Sequence, residues 1–224
     1  MPVKKKTIAI AAVSLVVIAA ILAVVAWFVP ILKVNTIEVT GAPITGAVVV
    51  EETSGITVGE NLLRVDASGA AHKIAELPWV KTVTINRKIP STIAIEVQER
   101  VAAVFQNTAD GNVIYDTEGK PIIIGTPPPG TVEVTATDAA NEAILPAVIS
   151  VINSIRDQDA ALLNNVATVE APDQYDILLK LKDGREIYWG SAENNHDKAV
   201  AMATVVKREG QHWNISSPSM VSVR

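Results

Sequence analysis

The sequence contains no cysteine among its 224 residues. Disulfide bonds, CxxC redox chemistry and thiolate metal sites are therefore excluded. Any part of the chain that is exported from the cytoplasm must accordingly be stabilised by its core alone.

The sequence also lacks the usual catalytic and ligand-binding motifs. Its three histidines lie far apart, outside any HExxH or HxH spacing, and no GxSxG, GxGxxG or GxxxxGK[ST] motif occurs. Asp110, Asp116 and Glu118 lie close together, but they do not follow the EF-hand register, and we interpret them as turn-forming residues. We therefore predict a protein that is not an enzyme and that holds no cofactor or metal ion.

Charge is absent from most of the N-terminal region. After Lys4–Lys6, no charged residue occurs until Lys33, and the intervening stretch includes the apolar run 7–29. As a helix with a rise of about 1.5 Å per residue, this run reaches roughly 35 Å, enough to cross a hydrocarbon core of about 30 Å. Because positive charge beside a first span stays inside, we predict a cytoplasmic tail at residues 1–6 and a transmembrane signal anchor at residues 7–32. The protein is then a single-pass, type II plasma-membrane protein.

A cleaved signal peptide is the alternative interpretation of this segment. It also begins with basic residues, and Val24-Val25-Ala26 resembles a cleavage site. The apolar run is longer than the roughly 7 to 15 residues of a typical signal-peptide core, which favours an uncleaved anchor.

The part of the chain after the anchor is acidic. Without the three lysines of the tail, sixteen of the nineteen basic residues remain against twenty-four acidic ones, a formal charge of about −8. We therefore predict that neither nucleic acid nor an anionic membrane surface is a partner of this part.

The region after Lys33 begins with the pattern of a strand and a helix. Apolar and polar side chains alternate over residues 34–40, which indicates a strand. Thr45 is placed to cap a following helix, with Ile44 and Val49 as a hydrophobic staple. Gly55 is placed as the stop at the C-terminal end of this helix.

A second helix and two strands complete this region. Asp66 or Ser68 is placed to cap a helix that Pro78 ends. Segments 79–87 and 92–99 then have the pattern of an antiparallel pair. We therefore predict a domain at residues 33–101 with the element order βααββ.

Strands dominate the remainder of the chain, residues 102–224. Glycine-containing turns separate them, and Asp183-Gly184 is the clearest hairpin signal because apolar side chains alternate on both sides of it. Apolar stripes predict two helices, one that opens near Pro146 and one over residues 196–207. The predicted fold class is α+β, with a single transmembrane helix, a βααββ domain and a C-terminal mixed β-sheet domain with helices.

An uncharged segment near the C-terminus is predicted to form an edge strand. Trp213, Ile215, Val221 and Val223 alternate around Pro218, and proline is tolerated in a strand mainly at a sheet edge. An edge leaves backbone N–H and C=O groups free to pair with an incoming peptide. The alternative is that this tail frays and binds nothing. The candidate partner-binding residues are Ser217, Ser219, Met220, Val221 and Ser222.

Several short runs in the first half share the character of one domain family. They are Ile37-Glu38-Val39-Thr40-Gly41, Gly59-Glu60-Asn61-Leu62, Leu77-Pro78-Trp79-Val80, Arg87-Lys88-Ile89-Pro90 and Ile95-Glu96-Val97-Gln98-Glu99-Arg100. They resemble the POTRA domain of the FtsQ/DivIB family of bacterial cell-division proteins. The resemblance is specific because these runs follow a signal anchor in the order found in that family.

Runs in the second half resemble the β-domain of the same family. They are Tyr115-Asp116-Thr117-Glu118-Gly119, Leu181-Lys182-Asp183-Gly184-Arg185, Trp189-Gly190-Ser191, Lys198 and Ile215-Ser216-Ser217-Pro218-Ser219. Aromatic residues make up only 4% of the chain, which is similar to the actinobacterial versions of the family. Asn214 stands where many relatives have aspartate.

The resemblance implies a divisome scaffold at the septal plasma membrane. Such a protein links early and late division proteins, contacts the partners FtsB and FtsL, with the FtsB contact near its C-terminal strand, and helps to recruit the septal peptidoglycan synthase. The residues themselves indicate only an anchored, two-domain binding protein. Two other functions stay open: an anchored envelope enzyme, which a pocket of Ser191, His196 and Asp197 would favour, and a POTRA-type secretion or transport accessory.

Overall fold

The structure, a computed structural model, describes residues 10, 13–21, 32–135 and 141–223. Within these residues, no helix is both long and apolar enough to cross a bilayer. Most of the predicted tail and anchor lies outside the described part of the chain. Contacts between residues divide the chain into two compact units, Met1–Glu99 and Arg100–Arg224.

The first unit has the predicted order of strand, helix, helix, strand and strand. Its elements are β1 (Thr36–Thr40), α1 (Ala47–Ser54), α2 (Ala67–Ala75), β2 (Val80–Lys88) and β3 (Thr92–Glu99). Strand β3 lies in the centre of a three-stranded sheet, parallel to β1 and antiparallel to β2. Ile93 and Ile95 of this strand are fully buried and form a core with Val50 of α1 and Ile74 of α2. Burial of one face of the sheet under both helices therefore holds this unit together.

Helix α1 begins later than the sequence pattern predicts. Its N-cap is Gly46, with a φ of 88°, and not Thr45. The carboxylate of Glu99 accepts hydrogen bonds from the backbone N–H groups of Ile44 (3.0 Å) and Thr45 (2.6 Å). These bonds hold the residues before the helix in a loop. Ile44 and Val49 are both exposed, so the predicted hydrophobic staple is wrong.

The other predicted helix ends in this unit are confirmed. Gly55 ends α1 in the left-handed conformation, with a φ of 68°. Asp66, and not Ser68, caps α2, because its carboxylate accepts the backbone N–H of Gly69 at 2.9 Å. Helix α2 ends at Ala75, before Pro78.

The second unit is built on a nine-stranded sheet. Its elements are β4 (Ala102–Thr108), β5 (Gly111–Asp116), β6 (Pro121–Ile124), β7 (Val132–Thr135), α3 (Ile144–Asp159), a 3-10 helix (Ala160–Asn165), β8 (Val166–Asp173), β9 (Asp176–Leu181), β10 (Glu186–Gly190), α4 (Asn195–Val205), β11 (His212–Asn214) and β12 (Ser222–Val223). The order of the strands in the sheet is β12-β11-β10-β9-β8-β7-β4-β5-β6. The pairs β4/β7, β7/β8 and β10/β11 are parallel, and the other pairs are antiparallel.

Both predicted helices of this unit are confirmed. Helix α3 begins at Ile144, two residues before Pro146, and α4 occupies most of the predicted segment. The apolar stripe of α3 is fully buried in one core with Met202 of α4 and Trp189 of β10. The Asp183-Gly184 turn joins β9 and β10, and the side chains that alternate around it enter the same core. Helix burial against this face of the sheet fixes the position of β10, beside which the C-terminal strands lie.

Candidate docking edge

The C-terminal strands continue the sheet beyond β10. Strand β11 lies parallel to β10, with Trp213 opposite Ile187, and α4 forms the connection between them. Trp213 is 6% exposed and Ile215 is fully buried, so these two side chains anchor β11 to the core. The backbone N–H of Ile215 also donates to the carbonyl oxygen of Tyr188 at 3.0 Å, which extends the pairing past the end of β11.

The prediction of one terminal strand is wrong, because two short strands replace it. Strand β12 folds back antiparallel to β11, with Val223 opposite Trp213. Pro218, which lacks a backbone N–H, lies in the connecting segment and not in a strand. The N–H of Met220 donates to the carbonyl oxygen of Ser217 at 2.9 Å and so closes a turn around this proline.

Asn214 begins the reversal of the chain. Its Oδ1 accepts hydrogen bonds from the backbone N–H of Ser216 (3.0 Å) and from the hydroxyl of Ser216 (2.7 Å). This is an Asx-type arrangement, in which a short side chain stabilises a turn two residues further on. A carboxylate accepts the same two bonds, so asparagine here retains the turn that an aspartate would make.

Two glycines lack the side chains that would collide with the C-terminal segment. A Cβ atom on Gly210 would lie 2.3 Å from Cγ2 of Val223, and Gly210 has a φ of +148°. A Cβ atom on Gly190 would lie 3.1 Å from Cβ of Ser216, and Gly190 has a φ of +74°. The close approach of Val223 and Ser216 to the backbone therefore depends on the absence of side chains at these two positions.

Strand β12 is the last in the order of the sheet, so it presents an edge. Met220 is 77% exposed, Val223 47% and Val221 38%. All five predicted docking residues are exposed and uncharged. Ser217, Ser219 and Met220 lie in the turn, Val221 directly precedes β12, and Ser222 is its first residue. The structure thus brings the five together, although only one of them is in a strand.

The connection between β10 and α4 contains buried polar groups that sequence reasoning missed. Lys198 is only 2% exposed, and its Nζ donates to the carbonyl oxygen of Ser191 at 2.8 Å. Burial lowers the pKa of Lys198. Nearby in the chain, Nε1 of Trp189 donates to Oδ1 of Asn195 at 2.9 Å. The sequence signal for the burial of Lys198 is its position directly before Ala199, which belongs to the apolar stripe of α4. The two hydrogen bonds tie the start of α4 to the end of β10.

The three residues that would favour an enzyme lie in different environments. His196 and Asp197 occupy exposed positions on α4, whereas Ser191 is half-buried and is contacted by Lys198. Across the described residues, no group of three or more histidine, aspartate or glutamate side chains could hold a metal ion.

Asp116, a member of the acidic group near the β5–β6 turn, is buried and fully engaged in hydrogen bonds within the protein. It is 2% exposed, and its carboxylate pairs with Nη1 of Arg100 at 2.7 Å. It also accepts the backbone N–H groups of Glu118 (2.8 Å) and Lys120 (2.9 Å). Burial by itself raises the pKa of Asp116, but the hydrogen bonds from Lys120, Arg100 and Glu118 outweigh it and lower the pKa. Asp116 therefore orders this turn, as its interpretation as a turn residue requires.

Comparisons with known proteins agree with this architecture. Residues 32–100 match the family model described as POTRA domain, FtsQ-type. The chain is 66% identical over 220 residues to Cell division protein FtsQ of Corynebacterium glutamicum, a match that covers 98% of this chain and 99% of that protein. It is 32% identical to Cell division protein FtsQ of Mycobacteroides abscessus, over 94% of this chain and 68% of that protein. Because the first match extends over nearly the whole of both proteins, this chain belongs to the actinobacterial FtsQ family, whose members are cell-division proteins of the divisome and are not a known family of enzymes.

Proposed function

We propose that this protein is a membrane-anchored scaffold of the divisome that acts by extracytoplasmic protein–protein contacts at the septum. Family membership supports the role in division. Lys4–Lys6 ahead of the uncharged run 7–29 support a single-pass anchor with a cytoplasmic N-terminus. A POTRA domain at residues 33–101 and a β-domain at residues 102–224 then lie on the outer side of the plasma membrane.

The exposed edge at β12 supports the docking of a partner. Unpaired backbone groups along an edge strand accept an additional strand, and side chains that alternate along the edge select the partner. Residues 219–223 carry no charge that would repel an apolar strand, and Met220 is the most exposed large apolar side chain among the described residues of the second unit. We infer that Ser217, Ser219, Met220, Val221 and Ser222 form the docking site.

The partner at this edge is of the FtsB/FtsL type. The family resemblance places the FtsB contact near the C-terminal strand, and recruitment of FtsB and FtsL links early division proteins to the septal peptidoglycan synthase.

The docking site is tested with proline substitutions at the edge. Met220→Pro removes the N–H that closes the turn, and Ser222→Pro places a residue without an N–H in β12. We expect each to weaken capture of an FtsB/FtsL-type partner at least about tenfold, which corresponds to about 1.4 kcal/mol. Met220→Asp, which keeps the backbone unchanged, is expected to weaken capture by charging the edge.

The matched control lies at the opposite edge of the same sheet. Ile124 of β6 is 52% exposed, and Ile124→Pro is expected to leave partner capture unchanged. Thermal melting of every variant shows whether its fold is retained. If folded Met220→Asp and Ser222→Pro variants capture the partner as well as the native chain does, the docking edge lies elsewhere.

A further inference from the structure

Two loop tips of the first unit carry strongly exposed aliphatic side chains. Val58, in the loop between α1 and α2, is 64% exposed, and Ile89, in the turn between β2 and β3, is 73% exposed. Single exposed aliphatic residues are common on protein surfaces and need no explanation by themselves. These two side chains differ from such isolated cases because both lie close to the segment through which the chain enters the unit.

The α1–α2 loop runs alongside the first described residues of this unit. The backbone N–H of Leu62 donates to the carbonyl oxygen of Leu32 at 2.9 Å. The N–H of Gly59 donates to the carbonyl oxygen of Val34 at 2.7 Å. Val58 precedes Gly59 in sequence, so its backbone lies next to the segment 32–34.

The β2–β3 turn meets the same segment one residue later. The N–H of Asn35 donates to the carbonyl oxygen of Ser91 at 2.8 Å. Strands β1 and β3 are parallel, with Thr36 opposite Thr92, so both begin at this end of the sheet. Ile89 and Val58 therefore flank the point at which residues 32–35 reach the sheet.

The predicted anchor ends at residue 32, so no spacer separates it from this end of the unit. Two residues of extended chain, from Leu32 to Val34, span at most about 7 Å. The headgroup region of one leaflet extends roughly 5 to 8 Å beyond the hydrocarbon core. Val58 and Ile89 are thus within reach of the headgroup layer if Leu32 lies at its inner boundary.

We propose that Val58 and Ile89 contact the outer surface of the bilayer, so that this end of the first unit lies in the interfacial layer. The inference rests on the proposed membrane anchoring. The contact is assigned to the two apolar tips, because the part of the chain beyond the anchor is acidic and is not attracted to anionic lipids. The two apolar tips therefore do not require anionic lipids, and phosphatidylcholine is sufficient.

The opposite end of the same unit supplies a matched control. Ile44 is also aliphatic and is 50% exposed, but its N–H is bonded to Glu99 at the C-terminal end of β3. The eight residues of β3 separate the two ends by roughly 23 Å, at about 3.3 Å per residue. A probe on Ile44 therefore reports exposure to water far from the predicted anchor.

The absence of cysteine allows single-site labelling of the full chain. Val58→Cys, Ile89→Cys and Ile44→Cys variants are labelled with an environment-sensitive nitrobenzoxadiazole probe and reconstituted into phosphatidylcholine vesicles. We expect emission from the first two positions to be shifted to the blue and to be quenched at least about twofold by brominated lipids, as for groups in the interface. Emission at Ile44→Cys is expected to stay water-like and unquenched. Alkaline extraction of the same vesicles tests the anchoring.

The outcomes separate the two proposals. If the chain resists alkaline extraction while probes on Val58→Cys and Ile89→Cys are as water-like as the probe on Ile44→Cys, the membrane contact is wrong and the anchoring stands. Release of the chain by alkaline extraction overturns the anchoring and this inference with it. Probes that are shielded from water but are not quenched by brominated lipids indicate contact with another protein, which also overturns the inference.

Discussion

Replacement of Asp116 by alanine tests whether its buried carboxylate stabilises the turn between β5 and β6. The substitution leaves Arg100 without its partner and removes the acceptor for the backbone N–H groups of Glu118 and Lys120. Loss of one partner of a buried pair costs about 3 to 5 kcal/mol. Because the side chain of Arg100 is 21% exposed, water compensates it in part, and we expect about 3 kcal/mol at neutral pH.

Calorimetric melting of the detergent-solubilised chain measures this loss. For a unit of this size, about 3 kcal/mol corresponds to a decrease of roughly 10 °C in the Tm of the transition of the second unit. The control is Asp110→Ala in the neighbouring β4–β5 turn. Asp110 is exposed, and its replacement is expected to change stability by less than about 0.5 kcal/mol.

The pH dependence of the same experiment follows from the lowered pKa of Asp116. A carboxyl group with a depressed pKa in the folded state contributes stability above its unfolded pKa, near the ordinary value of 3.8, and that contribution is lost as the pH falls through the folded value. The difference in Tm between the native chain and Asp116→Ala should therefore be full at pH 7 and should narrow below about pH 4. A difference under about 2 °C at pH 7 would refute the reasoning.

Three further predictions concern the core, a close approach of backbone, and topology. Leu181→Ala, at a side chain that is 4% exposed, should lower the free energy of unfolding by about 2 to 5 kcal/mol in urea denaturation; an unchanged midpoint would contradict its place in the core. Gly41→Ala places a Cβ 1.9 Å from the carbonyl oxygen of Val97 at a φ of +79° and should cost about 2 kcal/mol or more by the same measurement; native stability of this variant would show that the approach is not that close. Protease added to cells without their wall should digest the chain after about Lys33 and leave an N-terminal tag intact, whereas recovery of a mature protein that begins near Trp27 would show a cleaved signal peptide.

The order of elements in the first unit could be predicted because the signals that specify it are local. Alternation of side chains identifies a strand, and Gly55 and Asp66 mark helix ends through the backbone groups of residues next to them. The Asp183-Gly184 hairpin was predicted for the same reason, since a tight turn and its two strands lie within a short window of sequence.

The start of α1 could not be predicted from its own segment. Thr45 is a suitable N-cap by residue type, but its N–H is taken by Glu99, which is 54 residues away. The burial of Asp116 and Lys198 is likewise decided by how the elements of the second unit pack, which no local pattern of residues shows. A local window contains the residue type but not the partner that stabilises it.

The C-terminal segment shows most directly which properties come from the sequence and which come from the tertiary structure. Its lack of charge and its apolar alternation are properties of the sequence, and together with the family resemblance they predict a docking site at Ser217, Ser219, Met220, Val221 and Ser222. That β12 folds back on β11 and forms the sheet edge was decided by the tertiary structure, because Trp213 and Ile215 are held in the core and Pro218 turns the chain immediately after them. A strand is an edge only by virtue of which strands lie beside it. Strand β12 pairs with β11, and β11 has its place in the sheet because it pairs with β10.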